Sequence, residues 1–362
     1  MITLKANQYE GSSAEEGVSY QNIPSMPGVP FHRGRSEQRA ERICELLDVK
    51  GKTVLDLGCS VGTMSNVFLK NGAKDVVGVD HDEDSIALGM NTYPGVHFKK
   101  TDITMEFLDR MNYLTLGSFD VVVWTSQFMW MVKQHGMEYA LEFLWKLSTK
   151  CDVLVFESAG RDDGSAPLDL RQEDFLKLLC RNTCFQDITD YGPWNDGWSP
   201  RNVFACENSF KGYQGEWSKV ELAGRGKVKK IFKDHPFARE LKRREADCLR
   251  ILSDVYFPKL LSQDDLSITV SWEGVRAKWI PEIDLMDILH VMDMNEIKHR
   301  DIRPGNILWN GENIVLIDWS FSTIGDEATN YHYDLGGKYK CPYGYNDEYS
   351  LRKVQHELMG VK

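Results

Sequence analysis

No stretch of this 362-residue chain approaches the ~20 apolar residues that a membrane-spanning helix requires. The opening residues Met1-Ile2-Thr3-Leu4-Lys5 lack the apolar core of a secretory signal. The eight cysteines are scattered. The closest two, Cys180 and Cys184, fall in a helical run, and no second pair supplies the closely spaced ligands of a structural zinc. Scattered thiols suit a reducing cytoplasm. Positive charge is also short: 43 Lys and Arg stand against 54 Asp and Glu, a net charge of −11. A phosphate-backbone partner wants a basic face, so nucleic acid is disfavoured. What is present is a globular composition, 42% hydrophobic and long enough for two domains of about 100–200 residues each.

Residues 1–35 are polar, rich in Gly, Pro and Ser, and carry Tyr20 and the basic cluster His32, Arg33 and Arg35, with Arg39 just beyond. Ser36 is the expected N-cap of a helix whose apolar face is Ala40, Ile43, Leu46 and Leu47. Strand-like runs then alternate with helical ones, at 53–57, 75–80, 96–98, 119–124 and 152–157, and Gly72 is placed to end a helix. This pattern predicts a parallel, doubly wound sheet, with 185–190 and 201–206 closing an antiparallel edge. Ligands of such sheets bind at the carboxyl ends of strands, where strand order reverses. Asp56-Leu57-Gly58-Cys59-Ser60-Val61-Gly62 is expected there, its glycines permitting a tight turn and close approach of backbone to ligand. Asp80, with His81 beside it, ends the second strand, where a carboxylate can accept two ribose hydroxyls. Asp102 and Ile103 follow the third, where they can meet an adenine. The bland alternative makes Asp80 and Asp102 helix N-caps and the loop an ordinary α/β turn. The loop departs from the Gly-x-Gly-x-x-Gly of dinucleotide sites, since Ser60 replaces a glycine. Over roughly residues 36–207 the chain resembles the class I, Rossmann-like S-adenosylmethionine-dependent methyltransferases. No Asn-Pro-Pro-Tyr follows the fourth strand, where Trp124-Thr125-Ser126-Gln127 stands instead, so methylation of a base amine has no positive support.

From about Ser209 the pattern changes. Gly212-Tyr213-Gln214-Gly215 and the runs 219–222 and 227–232 read as a glycine loop and hairpin. In a kinase such a loop covers the ATP phosphates and a strand-borne lysine pairs with them. Lys230 is the expected lysine because Ile-Phe follows it, whereas Lys229 points to the other face. Glu245 on the next helix is expected to hold Lys230, with Glu240 as competitor. Glu273-Gly274 is expected as the hinge between two lobes. Then comes His299-Arg300-Asp301-Ile302-Arg303-Pro304-Gly305-Asn306, followed by Ile314-Val315-Leu316-Ile317-Asp318. Residues 285–320 resemble the catalytic core of eukaryotic-like kinases. The resemblance implies that Asp301 orients the acceptor hydroxyl and that Asn306 and Asp318 hold Mg²⁺. Trp319-Ser320 replaces Phe-Gly, no Ala-Pro-Glu follows, and Asp347-Glu348-Tyr349-Ser350-Leu351 resembles the buried helix beyond the activation segment. This shortened, two-lobed α+β kinase pattern lacks a peptide-docking platform, so a small acceptor or a sugar is expected.

A methyltransferase followed by a small kinase resembles the bifunctional methyltransferase/kinases of the WbdD type, which phosphorylate the terminal mannose of bacterial O-antigen polymannose and then methylate that phosphate. That family continues into a long coiled coil, whereas this sequence stops at Lys362. The resemblance implies three parts: a covering segment at 1–35, a methyltransferase at 36–207 and a kinase-like domain at 208–362. Its implied cofactors are S-adenosylmethionine, ATP and Mg²⁺. Tyr20, Arg33, Asp56, Gly58, Ser60, Gly62, Asp80, His81, Asp102 and Ile103 would serve the first, and Gly212, Gly215 and Glu273 the nucleotide. His32, Arg35 and Arg39 would bind the phosphate acceptor through charge-assisted hydrogen bonds, against the alternative of an ordinary solvated basic arm. The implied partners are a polysaccharide and a membrane-associated glycosyltransferase. The implied place is cytoplasmic, peripheral at the inner face of the bacterial inner membrane. The competing expectation is a small-metabolite methyltransferase regulated by an ATP-binding pseudokinase module.

Overall fold

The computed structural model describes residues 19–21, 31–33, 35–111, 119–161, 168–194, 201–325, 337–343 and 346–360. Its contacts divide the chain into two units. One contains residues 1–175 and 188–209, the other 176–187 and 210–362.

The first unit opens with two short parallel strands, β1 (Ser19–Gln21) and β2 (Phe31–Arg33). Next come α1 (Ser36–Leu46), β3 (Thr53–Leu57), α2 (Thr63–Lys70), β4 (Asp75–Asp80) and α3 (Glu83–Thr92). They are followed by β5 (His97–Lys100), α4 (Met105–Arg110), β6 (Phe119–Thr125), α5 (Phe128–His135), α6 (Met137–Ser148) and β7 (Cys151–Glu157). Then α7 (Gln172–Asn182) and β8 (Phe185–Pro193), within each of which the division between the units falls, and β9 (Asn202–Ser209) complete the order. The sheet has seven strands in the order β5-β4-β3-β6-β7-β9-β8. Strands β3 to β7 are mutually parallel, and β9 runs antiparallel to β7. This is the Rossmann-like architecture that alternating apolar strands and amphipathic helices predict.

Val54, Leu55 and Leu57 of β3 are buried, as are Val76, Val77 and Val79 of β4. A strand covered on both faces reads as a continuous apolar run rather than an alternating one. Trp124, Phe128, Phe143 and Phe156 make an aromatic centre with ring centroids 5.1–5.8 Å apart. Each such ring contributes on the order of 1.5–3 kcal/mol by leaving water. At the end of α2, Gly72 takes φ 88°, and the N–H groups of Gly72 and Ala73 reach Leu69 and Phe68 carbonyls. That is the Schellman arrangement the sequence suggested for Gly72. At α1 the expectation shifts by one residue. Arg35, in the left-handed region at φ 77°, is the N-cap, and Ser36 is the first helical residue.

The second unit begins with a five-stranded antiparallel sheet in the order β10-β11-β12-β14-β13. Its strands are β10 (Tyr213–Gln214), β11 (Ser218–Leu222), β12 (Lys227–Phe232), β13 (Leu260–Gln263) and β14 (Ser267–Ser271). Helix α8 (Pro236–Ile251) buries Ala238, Leu241 and Ala246 against Phe232 and Ile268 of this sheet. Beyond β15 (Val275–Arg276) lies a helical lobe with α9 (Glu282–Met294) and α10 (Asp347–Leu358). Its small strands are β16 (Ile297–Lys298), β17 (Ile307–Trp309), β18 (Ile314–Leu316) and β19 (Thr323–Ile324). Leu285, Ile288, Ile302, Trp319, Leu351 and Val354 pack in one core here, which fixes the segment 299–318 from several sides. A strand-rich lobe and a helical lobe joined near Glu273 make the two-lobed kinase-like architecture.

Candidate active sites

In the first unit the sheet order reverses at β3, which has β4 on one side and β6 on the other. The loop after β3 therefore lies at the carboxyl edge of the switch point. Gly58, Ser60 and Gly62 all take positive φ, at 79°, 51° and 81°. A Cβ on Gly58 would sit 2.3 Å from the Gln127 side chain, and one on Gly62 would sit 2.4 Å from the Phe98 ring. The left-handed backbone favours glycine at both positions, and a Cβ at either would force its neighbour to move. The Gln127 contact also shows that the loops after β3 and β6 meet.

Asp80 is buried at the end of β4. One carboxylate oxygen accepts the Ser60 N–H at 2.8 Å and the other the Asp82 N–H at 3.0 Å, with His81 Nδ1 3.1 Å away. Burial works against its ionised form, but the His81 contact and the two backbone donors outweigh it and lower its pKa. The same contact raises the pKa of His81. The caps of the neighbouring helices are other residues: Asp82 precedes α3, and Thr104 caps α4 by accepting the Phe107 N–H at 3.3 Å. The N-cap alternative for Asp80 and Asp102 is thereby corrected. Asp102 is exposed beyond β5, and Ile103 beside it is half-buried. Asp56 is buried one strand away, bonded by Ser65 Oγ at 2.6 Å, and burial pushes its pKa up to about 6 despite that bond, with repulsion from Asp80 adding to the rise.

Two further charges lie in this unit. Glu157, ending β7, and Arg201, beside β9, are both fully buried and 3.0 Å apart. Arg201 also donates to Ser126 Oγ at 2.9 Å, and Ser126 follows β6 with φ 59°. Arg39 joins them, 3.7 Å from Glu157 and over the Trp194 ring at 5.5 Å. Arg39 is therefore held by a carboxylate and an indole, which the basic-arm reading did not foresee. Arg35 is exposed at the start of α1. Tyr20, His32 and Arg33 lie on β1 and β2, and their side chains lie outside the described residues.

In the second unit Lys230 sits mid-strand on β12, opposite Val220 and Ile268. Its Nζ donates to Glu245 Oε2 at 2.8 Å, Asp318 Oδ1 at 2.6 Å and Ser320 Oγ at 2.7 Å. Desolvation would lower its pKa, but the two carboxylates reverse this and raise it. Asp318 feels burial in the opposite sense, and Lys230 holds it at about 2. Lys229 lies on the outer face, 3.4 Å from Asp264, and Glu240 is engaged by Arg243 and Arg244. The pair formed is therefore Lys230 with Glu245.

Asp301 is buried at the bottom of the same cavity, and Asn306 Nδ2 donates to its carbonyl at 2.8 Å and to its Oδ2 at 3.2 Å. Arg303 lies 3.3 Å from Asp301. His299 bridges the backbone, with Nε2 2.9 Å from the Ile317 carbonyl and Nδ1 accepting the Asp301 N–H at 3.2 Å. Asp347, at the start of α10, accepts the N–H groups of His299 and Arg300 at 2.7 and 3.0 Å, so it anchors the loop from below. Lys230, Asp301, Arg303, Asp318 and Gly215 line one cavity of about 450 Å³. Glu273 accepts from Ser271 Oγ, and its pKa is raised by burial. Gly212, at φ 97°, lies just before β10; neither it nor Glu273 lines the cavity.

Two segments of the chain match known families. Residues 38–134 match the family model described as FtsJ-like methyltransferase, and residues 284–336 match that of the Phosphotransferase enzyme family. The chain joins a methyltransferase domain to a kinase-like domain. Among curated relatives, the ribosomal protein L11 methyltransferase of Histophilus somni (strain 2336) is 38% identical over 74 residues, 19% of this chain and 24% of that protein. Its counterpart in Neisseria meningitidis serogroup C / serotype 2a (strain ATCC 700532 / DSM 15464 / FAM18) is 33% identical over 114 residues, 30% and 36% of the two chains. The chain spans between about a quarter and two fifths of the length of the curated relatives it matches. Among solved structures, WbdD with the kinase inhibitor LY294002 is similar at 20% identity and TM-score 0.44, over 86% of this chain and 82% of that one. Magnesium protoporphyrin IX methyltransferase from Synechocystis PCC 6803 with bound SAM is similar at 19% identity and TM-score 0.37, over 48% and 79%.

The methyltransferase domain offers a glycine-lined turn and a buried carboxylate to a nucleoside-like cofactor. The kinase-like domain gathers a fixed ammonium and the carboxylates of Asp301 and Asp318 at one cavity. No described helix is long and apolar enough to cross a membrane. Among the described residues no cluster of three or more His, Cys, Asp or Glu could hold a metal alone. The Asp318 carboxylate and the Asn306 amide oxygen nonetheless suit Mg²⁺, which takes one or two protein oxygens and completes its shell with water and substrate phosphate.

Proposed function

We propose that this chain phosphorylates a sugar acceptor with Mg-ATP and then methylates the new phosphate with S-adenosylmethionine. The observation that carries the first half is the convergence of Lys230, Asp301 and Asp318 at one cavity, with Glu245 bonded to Lys230 behind it. Phosphoryl transfer asks a protein for positioned charge rather than covalent chemistry. Lys230 binds nucleotide phosphate, Glu245 fixes Lys230, and Asp301 receives the proton of the acceptor hydroxyl. Asn306 and Asp318 would hold Mg²⁺, which offsets charge on the transferring group. This complete set favours an active kinase over a regulatory pseudokinase. Tyr213, Trp217 and Tyr339 bring aromatic faces and Arg303 and Lys338 bring donors to the cavity, a lining suited to a hydroxyl-rich acceptor.

In the methyltransferase domain, Gly58, Ser60 and Gly62 admit the cofactor, Asp80 takes its ribose hydroxyls, and Asp102 and Ile103 meet the adenine. A phosphomonoester carries about −1.5 to −2 charge at pH 7, so its oxygen is already a nucleophile. Methyl transfer to it needs alignment more than a base. The basic residues His32, Arg33 and Arg35 supply charge for that task. The resemblance of the two motif sets, in this order, to the WbdD type supports a terminal mannose of an O-antigen polysaccharide as the acceptor. It also supports work at the inner face of the bacterial inner membrane beside a glycosyltransferase.

The test supplies short oligomannosides, Mg-ATP and labelled S-adenosylmethionine to the full chain, with products weighed by mass spectrometry. Methyl incorporation should require ATP with a bare mannoside and bypass ATP with a mannoside already phosphorylated. Methylation of the bare sugar without ATP refutes the coupled scheme.

A further inference from the structure

Ser320 stands two residues after Asp318, where the kinase pattern places a glycine. It is 3% exposed, in a short turn over Trp319–Phe321. Its Oγ accepts from Lys230 Nζ at 2.7 Å and donates to Glu245 Oε2 at 2.7 Å, while Lys230 itself donates to Glu245 at 2.8 Å. The three groups form a closed triangle of hydrogen bonds. A lysine ammonium has three N–H donors. Here all three are used, by Glu245, Asp318 and Ser320.

The turn that carries Ser320 is itself pinned. Trp319 Nε1 donates to the Leu316 carbonyl at 2.9 Å, and Ser322 Oγ to the Trp319 carbonyl at 2.6 Å. Arg244 Nη1, one residue from Glu245, donates to the Ser322 carbonyl at 3.2 Å, and Cys248 Sγ lies 2.9 Å from Ser322 Oγ. The turn is thus fastened to the helix that carries Glu245. Of the three partners of Lys230, Asp318 has the most open side chain, 31% exposed against 5% for Glu245.

We propose that Ser320 is a positioning residue for Lys230, an inference that rests on the phosphoryl-transfer reading above. When a nucleotide phosphate takes the place of Asp318 at the ammonium, Glu245 and Ser320 keep the other two N–H groups. They aim the third at the phosphate. A glycine at this position leaves the ammonium one anchor short and Glu245 without its second donor. The hydroxyl thereby ties strand β12, helix α8 and the turn after Asp318 into one unit.

The test is a double-mutant cycle on the full chain, read by calorimetry with Mg-AMP-PNP and by thermal melting. Ser320→Ala should weaken nucleotide binding at least fivefold and leave the melting transition in place. Ser320→Thr, which keeps the hydroxyl, should bind within twofold of wild type. In a Lys230→Met background, adding Ser320→Ala should change affinity less than twofold, because the hydroxyl acts through the ammonium. Wild-type affinity in Ser320→Ala overturns the proposal. So does a loss that multiplies undiminished onto Lys230→Met, or one that Ser320→Thr fails to restore. A wild-type chain that does not bind Mg-AMP-PNP overturns the phosphoryl-transfer reading itself, a failure visible before any variant is made.

Discussion

Lys230→Met removes the ammonium from a site built around it, and its cost can be worked from the neighbours. Glu245 is left 5% exposed with Ser320 as its remaining donor among those described above. Asp318 is 31% exposed and can turn toward water, so its share of the loss is small. Breaking a buried pair by deleting one partner costs about 3–5 kcal/mol. The retained Ser320 bond puts this case at the lower end, about 3 kcal/mol. For a unit of this size each kcal/mol moves the melting point by about 2–4 °C, so the kinase-like unit should melt about 6–12 °C lower. The methyltransferase unit should keep its own transition and its affinity for S-adenosylmethionine. Lys230→Met/Glu245→Leu should recover most of the stability, since a hydrophobic replacement removes the stranded charge. It should recover none of the ADP formation. Scanning calorimetry resolves the transitions, and an ADP assay with oligomannoside reports turnover. A single variant that melts within 2 °C of wild type, or a double variant that regains turnover, refutes the reasoning.

Asp301→Ala should abolish acceptor-dependent ADP release while leaving the calorimetric titration with S-adenosylmethionine unchanged. Asp80→Ala should raise the dissociation constant for S-adenosylmethionine at least tenfold. Hydrogen bonds to a charged group are worth about 1.5–3 kcal/mol each, and the Ser60 and Asp82 N–H groups lose their acceptor too. An unaltered constant would make Asp80 a turn-former only. Asp56 predicts a pH effect of definite sign. Its folded pKa of about 6 lies above the ordinary 3.8, so the native state binds the proton more tightly and stability falls as pH rises through that window. The full penalty, on the order of 3 kcal/mol, is present above pH 6. Asp56→Asn should therefore melt higher than wild type at pH 7.5, and the advantage should vanish near pH 4. A difference that ignores pH counts against the burial argument.

The strands 53–57 and 75–80 were legible to the residue, because a central parallel strand is a continuous apolar run bounded by charge and turn residues. The third strand was less so: it runs over His97–Lys100 rather than 96–98, since lysines at an edge carry no apolar signal. The choice of Lys230 over Lys229 came from the Ile-Phe that follows it, and strand alternation then put Lys229 on the other face, where it meets Asp264. The Ser320 hydroxyl was visible only as a departure from glycine, and its two partners come from 75 and 90 residues away. The Glu157–Arg201 pair, 44 residues apart, left no local mark, because each reads as an ordinary charge at a strand end. Arg39 was visible as a basic residue but not as a neighbour of Glu157 and Trp194. Contacts of that kind depend on which strands become neighbours, which periodicity alone does not fix.

The place of β9 has a consequence for how the protein is made. Strand β7 finds its partner on one side in β6, which precedes it closely in sequence, but its other neighbour is β9, delivered only after Asn202. As the nascent chain emerges, Glu157 is therefore placed in an apolar setting with Arg39, 3.7 Å away, as its cation before Arg201, 3.0 Å away, exists. A buried carboxylate short of its nearer partner is costly, so the parallel half of the sheet settles less firmly until Arg201 has emerged. The sheet edge exposed in that interval is open to strand pairing with other chains. Slowed synthesis between Glu157 and Arg201 should thus raise aggregation more than the same delay placed after Ser209.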